Sequence, residues 1–291
     1  MTKLEDLRAR LSSAGLGNAA ENILKMVRPC YRIERTLTTE DNLSIGTSRF
    51  GGSPDVPDGF EWPICGGGKN PEAMEFVGQL RLKDLPAGVS EPLPRDGLLS
   101  FFTRWSESRV FFYPEGTSLT RALSPNPPVA APPSGFFKSL FAELKRNPDP
   151  HKTYRPCALT FVPALSLPDG SSSLIEDLQL SHADAESYME SVLDHPVTQH
   201  QMFGYATPVQ NEMELECDYV RKGQEMRWDS SRDRFISATH DWILLLQIDT
   251  DDYPEGPGWM WGDAGMVYFW IHRDDLVSGF FDKVICIEQC H

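Results

Sequence analysis

Several things are missing from this 291-residue chain, and each absence removes a class of protein. No window is apolar for long enough to make a transmembrane helix. The opening MTKLEDLRARLSSAG carries charge from its third residue with no apolar run behind it, so it reads as neither a signal peptide nor a membrane anchor. Basic charge is scarce, with 27 Lys and Arg against 42 Asp and Glu and a net charge of −15. The thickest basic signal, Lys138, Lys145 and Arg146, is too thin for a patch that holds nucleic acid or an anionic membrane, and both partners are set aside. No C-x-x-C pair exists. Cys30, Cys65, Cys157, Cys217, Cys286 and Cys290 are scattered, as expected for reduced thiols in a cytoplasmic protein rather than a disulfide framework or zinc site. Cys286 and Cys290 lie near Glu288 and His291, but Cys286 reads as a strand residue, so no metal and no cofactor is assigned. P-loop spacing, G-x-G-x-x-G, H-E-x-x-H and G-x-S-x-G are all absent, and no catalytic residue is named. A site assembled only in space stays open.

The chain does carry a core's worth of apolar residues, 40% hydrophobic and 11% aromatic. Leu4, Leu7 and Leu11, then Ile23, Leu24 and Val27, predict helix over residues 3–28, stopped by Pro29. Alternation predicts strands over 31–37, 74–82, 98–103, 109–113, 157–165 and 283–288. Pro163 marks the 157–165 strand as an edge. Residues 181–193 read as a helix capped by Ser181, and 212–221 as a shorter one. Residues 124–135 hold five prolines and read as a linker, followed by an amphipathic helix over 136–146.

Two stretches resemble each other. MEFVGQLRLKDL holds Gln79 and DWILLLQIDTDD holds Gln247; GLLSFFTRW starts at Gly97 and GMVYFWIHR at Gly265. Both pairs are 168 residues apart. Upstream of each stands a Phe-Gly turn with a later proline, Phe50-Gly51 with Pro54 and Phe203-Gly204 with Pro208. The expectation is an α+β, mostly antiparallel β fold made from an internally duplicated β-rich unit with covering helices. Residues 1–123 would hold the N-terminal helix and first unit, 124–150 the proline-rich linker and short helix, and 151–291 the second unit, all in one pseudo-symmetric body.

The segments GGSPDVPDGFEWP, FVGQLRLKDL, LPRDGLLSFF, FGYATPVQ, WILLLQIDTDD and MWGDAGMVYFWIHRDDL resemble the bacterial YwqG-like family, a domain of unknown function. The likeness runs from about Phe50 to the end, and Trp261-Gly262-Asp263 before the Gly265 strand is its most specific part. It implies a mostly β, α+β fold, and it brings no catalytic residues with it.

The sharpest chemical feature is the acidic connection between the two apolar runs of 242–276. Asp249, Asp251, Asp252, Glu255 and Asp263 lie there beside Trp259 and Trp261. Oxygen ligands at alternating positions suit a hard cation, but the EF-hand pattern is absent. Asp263, between Gly262 and Gly265, is expected to accept backbone N–H groups and fix the turn. The loop tryptophans look hard to bury and are expected on a ligand or partner surface. The first function expected is therefore a non-catalytic protein-interaction or ligand-binding module with an acidic surface, suited to a basic protein partner. The alternative is a metal-dependent hydrolase using the loop 249–263.

Overall fold

The computed structural model describes residues 3–66, 72–89, 92–104, 107–123, 125, 153–194, 196–224, 238 and 240–291. The expected linker and helix of 124–150 lie outside the described residues, apart from position 125.

Alternation along RPCYRIERTL turns Tyr31 and Ile33 to the core and sends Arg32 and Glu34 the other way, and this stretch is the first strand, β1 (Arg28–Leu37). It is followed by β2 (Arg49–Phe50), β3 (Asp55–Pro57), β4 (Ile64–Cys65), β5 (Glu72–Ala73), β6 (Glu75–Arg81), β7 (Leu98–Arg104), β8 (Glu107–Tyr113) and β9 (Leu119–Arg121). After residue 150 come β10 (Cys157–Ser166), β11 (Gln201–Met202), β12 (Trp242–Asp249), β13 (Met266–His272) and β14 (Ile285–Gln289). Ten of these form one sheet in the order β14-β13-β12-β11-β1-β10-β2-β6-β7-β8, every pairing antiparallel. The sheet curls until its two edges meet. Ser108 Oγ on β8 donates to the carbonyl of Val284 at 3.3 Å, the Phe112 and Phe281 rings stand 5.3 Å apart, and Thr103 Oγ1 lies 3.3 Å from Cys286 Sγ. The sheet is thus nearly closed, and the fold is mostly antiparallel β with a few helices.

The pairings of the two sides correspond. Gln79 faces Ser100 and Gln247 faces Tyr268; Phe76 faces Phe102 and Leu244 faces Trp270. Each register shifts at the same place, between Phe76 and Gly78 and between Leu244 and Leu246. Gln79 donates to the Thr47 carbonyl and accepts from the Asp55 amide, both at 2.9 Å. Gln247 likewise donates to the Gln199 carbonyl at 2.7 Å and accepts from the Thr207 amide at 2.9 Å. Gly97 and Gly265 open β7 and β13 because the next strand leaves no room: an added Cβ would stand 2.8 Å from the Tyr113 carbonyl oxygen and 2.0 Å from that of Gln289. At the centre, β1 pairs with β10 over ten residues, then reaches across to β11, while β10 reaches to β2.

Pro163 does not mark an edge. It sits opposite Tyr31 in the central ladder. The pairing of β10 with β2 covers only Cys157 and Ala158, so the far side of β10 at Pro163 asks for no N–H donor.

The interior of the curled sheet is filled by Phe50, Phe101, Phe161, Phe203 and Phe269 with aliphatic neighbours. Outside, Phe60 and Trp62 cover Phe76 and Phe102 on one half. Met213 and Cys217, the latter from the helix Glu214–Arg221, cover Trp242, Tyr268 and Trp270 on the other. A separate helical layer joins Leu7, Leu11 and Ile23 to Ile175, Tyr188 and Val192. Its helix over His182–Ser187 starts as predicted, with Ser181 Oγ accepting from the Asp184 amide at 3.2 Å, and runs on into a π turn over Tyr188–Val192. No described helix is long and apolar enough to cross a membrane, and all six cysteines are free thiols.

Candidate functional site

The acidic connection between β12 and β13 folds back over one mouth of the sheet and closes it. Asp251 bridges to Trp259 as an isolated β pair, with the Asp251 amide donating to the Trp259 carbonyl at 3.1 Å. The loop end is held by Thr250, whose hydroxyl donates to the Gly265 carbonyl at 2.9 Å and accepts from the Trp261 amide at 3.1 Å. Asp263 does not perform that task. It is exposed, its backbone carbonyl accepts from the His291 amide at 3.2 Å, and its carboxylate has no hydrogen-bond partner among the described residues. Gly262 and Ala264, at φ of 50° and 52°, supply the tight turn instead.

The tryptophans do not form a surface. Trp259 is 0% exposed and Trp261 6%. Trp259 packs edge-on against Phe50 and Tyr154, both at 5.3 Å, and against His200 at 6.1 Å. Both indole N–H groups donate to the Asp249 carbonyl, at 2.8 and 3.3 Å, so their polar ends are satisfied inside. A loop rich in Gly and Pro can turn inward when the mouth it spans is apolar and offers one acceptor. Loop position alone does not reveal that.

Asp251 is the centre of the plug. It is fully buried, and its two oxygens accept from Arg35 Nε at 2.6 Å and Nη2 at 2.9 Å, a bidentate pair. His200 completes the group. The Asp249 amide donates to its Nδ1 at 3.1 Å, which leaves the proton on Nε2, 3.3 Å from Asp251 Oδ2. Burial pushes the Asp251 carboxyl up, but the hydrogen bonds from His200 and Arg35 and the Arg35 charge outweigh it and hold the group below its ordinary value. Asp249 goes the other way: burial raises it, though its side chain accepts from the Gln199 amide at 2.9 Å. Asp252 and Glu255 are exposed. The acidic residues are therefore divided among separate tasks, and among the described residues no three His, Cys, Asp or Glu side chains gather as a metal set.

The His200–Asp251 pair has the outline of a general base and its orienter, but both side chains are sealed and both ring nitrogens are engaged. The nearest thiol, Cys157, is pushed up to about 12 by burial, with the Asp251 charge adding to the effect, so it is held as the unreactive thiol.

The other half has its own buried ionic group. Asp55, fully buried, accepts from Arg49 Nη2 at 2.8 Å, Arg121 Nε at 3.0 Å, Gln79 Nε2 at 2.7 Å and the Gly46 amide at 2.8 Å. Glu40 takes both arginines at 3.0 Å. Neither this group nor Arg35 and His200 was visible in the sequence: Arg121 lies 66 residues from Asp55, Arg35 216 from Asp251 and His200 51 from it, and Arg49, six residues from Asp55, carries no motif that marks the pair.

One buried carboxyl is unusual. Glu214 opens the helix Glu214–Arg221, and burial raises it from an ordinary value of 4.5 to about 7. With the folded value above the unfolded one, ionisation opposes folding, so stability falls as pH rises between those two values. Glu214→Gln is expected to stabilise the protein by up to about 3 kcal/mol at pH 8 and by little at pH 4. Urea unfolding at the two pH values checks this, and an equal effect at both would refute it.

The chain belongs to a family defined as a domain of unknown function (DUF1963), whose model matches residues 48–290. No curated protein matches the chain.

Proposed function

Taking membership in a family without assigned activity as the premise, we propose that the chain is a non-catalytic binding module whose acidic outer face receives a basic protein partner. The finer resemblance to YwqG-like proteins and the reading of residues 1–123 and 151–291 as two copies of one unit, joined through 124–150, form part of this proposal. The matched registers at a spacing of 168 residues support the duplication. The observation that carries the functional reading is the closure of the plug. Asp251, the carboxylate of the acidic connection that hydrogen-bonds His200, is spent on Arg35 with no solvent contact. A hydrolase built on 249–263 needs that carboxylate open to an ion or a water. What the loop leaves outside is acidic: Asp252, Glu255 and Asp263 are exposed around the plug, and the net charge of −15 favours encounter with a cation-rich surface.

A photo-crosslinking residue placed at Asp252 or Asp263 tests this in the full chain within cells. The expected product is one discrete adduct whose mapped peptide is rich in Lys and Arg. It should be absent from a control at exposed Glu190 and weakened by about 0.5 M NaCl in lysate. No adduct, or the same adducts from all three positions, would sink the reading. A gain in melting temperature with millimolar Ca²⁺ or Mg²⁺ that is lost in Asp251→Asn would favour the hydrolase instead.

A further inference from the structure

Where the helical layer meets the outer face of β1 lies a small cleft of about 60 Å³. Leu7, Leu165 and Val192 give it an apolar wall, and Arg32 and Thr207 are among its polar lining. Two carboxylates reach it and both are engaged. Asp194 accepts from Arg10 at 2.7 Å, and Asp169 accepts from the amide and hydroxyl of Ser171 at 2.9 and 2.6 Å. Arg32 is not matched in this way. It is half-buried, its one hydrogen bond runs from Nη1 to Gln201 Oε1, and it makes no ion pair among the described residues. A guanidinium carries five N–H donors in a planar fork, so one amide oxygen uses only part of it.

The first half shows how the fold satisfies an arginine at this level of the sheet. Two glutamines fix the correspondence. Gln79 bridges Thr47 and Asp55 as Gln247 bridges Gln199 and Thr207, with the same spacing along the chain. Arg49 stands opposite Gln79, and Gln201 opposite Gln247. Asp55 therefore corresponds to Thr207, and Arg49 to Gln201. In the first half the buried Asp55 carboxylate takes Arg49 at 2.8 Å and Arg121 at 3.0 Å. In the second half the arginine comes from the neighbouring strand: Arg32 on β1 pairs across from Gln201 and donates to it. The position of the carboxylate is held by Thr207, which lines the cleft with Arg32. The arginine is retained, and the chain supplies no carboxylate to it.

We infer that the cleft binds a small monocarboxylic acid, its carboxylate on Arg32 beside Thr207 and its short alkyl chain against Leu7, Leu165 and Val192. A carboxylate meets the guanidinium fork with two parallel hydrogen bonds, which an amide or an alcohol cannot do. The apolar wall lowers the local dielectric and strengthens that pairing. Volume sets the length of the acid. At about 10–15 Å³ for each water-sized centre, the cleft takes about four to six non-hydrogen atoms, the range from acetate to butyrate. The site is independent of the acidic rim, so crosslinking there can fail while this binding succeeds.

Calorimetric titration of the full chain with propionate and with propionamide, its neutral counterpart, tests it. Propionate is expected to bind one to one, to saturate by about 10 mM, and to bind at least tenfold tighter than the amide. Arg32→Gln should weaken it tenfold or more, about 1.4 kcal/mol. Thr207→Asp gives the second half the carboxylate that the first half carries. It should also weaken propionate tenfold or more, without lowering the melting temperature, and it keeps the test decisive if Arg32→Gln does not fold. Arg109→Gln, exposed on β8, should have no effect. The proposal is overturned if propionate does not saturate, if propionamide binds equally well, if Thr207→Asp leaves binding unchanged, or if Arg109→Gln weakens it as much as Arg32→Gln.

Discussion

Asp251→Ala is expected to lower the unfolding free energy by about 3–5 kcal/mol, a large share of the stability of an ordinary domain. Its carboxylate is fully buried between Arg35 and His200, and removing it strands the Arg35 guanidinium at the plugged mouth without its bidentate partner. The cost belongs to the orphaned partner more than to the bond, and this can be separated. The pair replacement Arg35→Met with Asp251→Leu removes both charges and should lose much less than the sum of the two single changes. Acid adds a second signature. The folded Asp251 carboxyl is held below its ordinary value, so its contribution is present above that value and disappears as pH falls through the folded one. Wild type should lose stability along that acid limb, and Asp251→Ala should lose less of it. Urea unfolding over a pH series measures both. If Asp251→Ala costs under 1 kcal/mol and leaves the acid limb unchanged, Asp251 is not the keystone of the plug.

Trp259→Ala should cost a similar amount, about 3–5 kcal/mol, through the cavity left among Phe50, Tyr154, His200 and Trp261. Trp259→Phe keeps much of the ring and loses the N–H to the Asp249 carbonyl, which still has Trp261 as a donor, so about 1–2 kcal/mol is expected. The contrast separates a plug from a docking residue. A docking tryptophan would keep the melting temperature after truncation and lose only a partner; a plug loses stability first. Thermal and urea unfolding of both variants decide between them.

Much of the sheet was legible in the residues. Alternation located β1, β6, β7, β8 and β10, and the shared spacing of Gln79 with Gln247 and Gly97 with Gly265 picked out the hairpins whose registers match. These signals survive in one dimension because a strand's period and a hairpin's length are local. The site was much less legible. Trp259 looked exposed because loops usually are, yet here the loop is itself the lid of the core. Arg35 and Asp251 are brought together only by the curl of the sheet, and Arg121 reaches Asp55 through the separate pair of β3 with β9. Along the chain, basic residues gather in only a thin patch near 138–146.

The central crossing of strands has a consequence for how the chain is made. β1 has no partner within its own half: one neighbour is β10, the other β11. On a ribosome adding about 5–20 residues per second, roughly 120 residues separate the completion of β1 from the first residue of β10, an interval of about 6–24 s. Throughout it the leading strand exposes both of its backbone edges, and the first half cannot mature on its own. Holding factors have that long to act, and translation pauses placed before β10 should lower soluble yield more than pauses placed after β11.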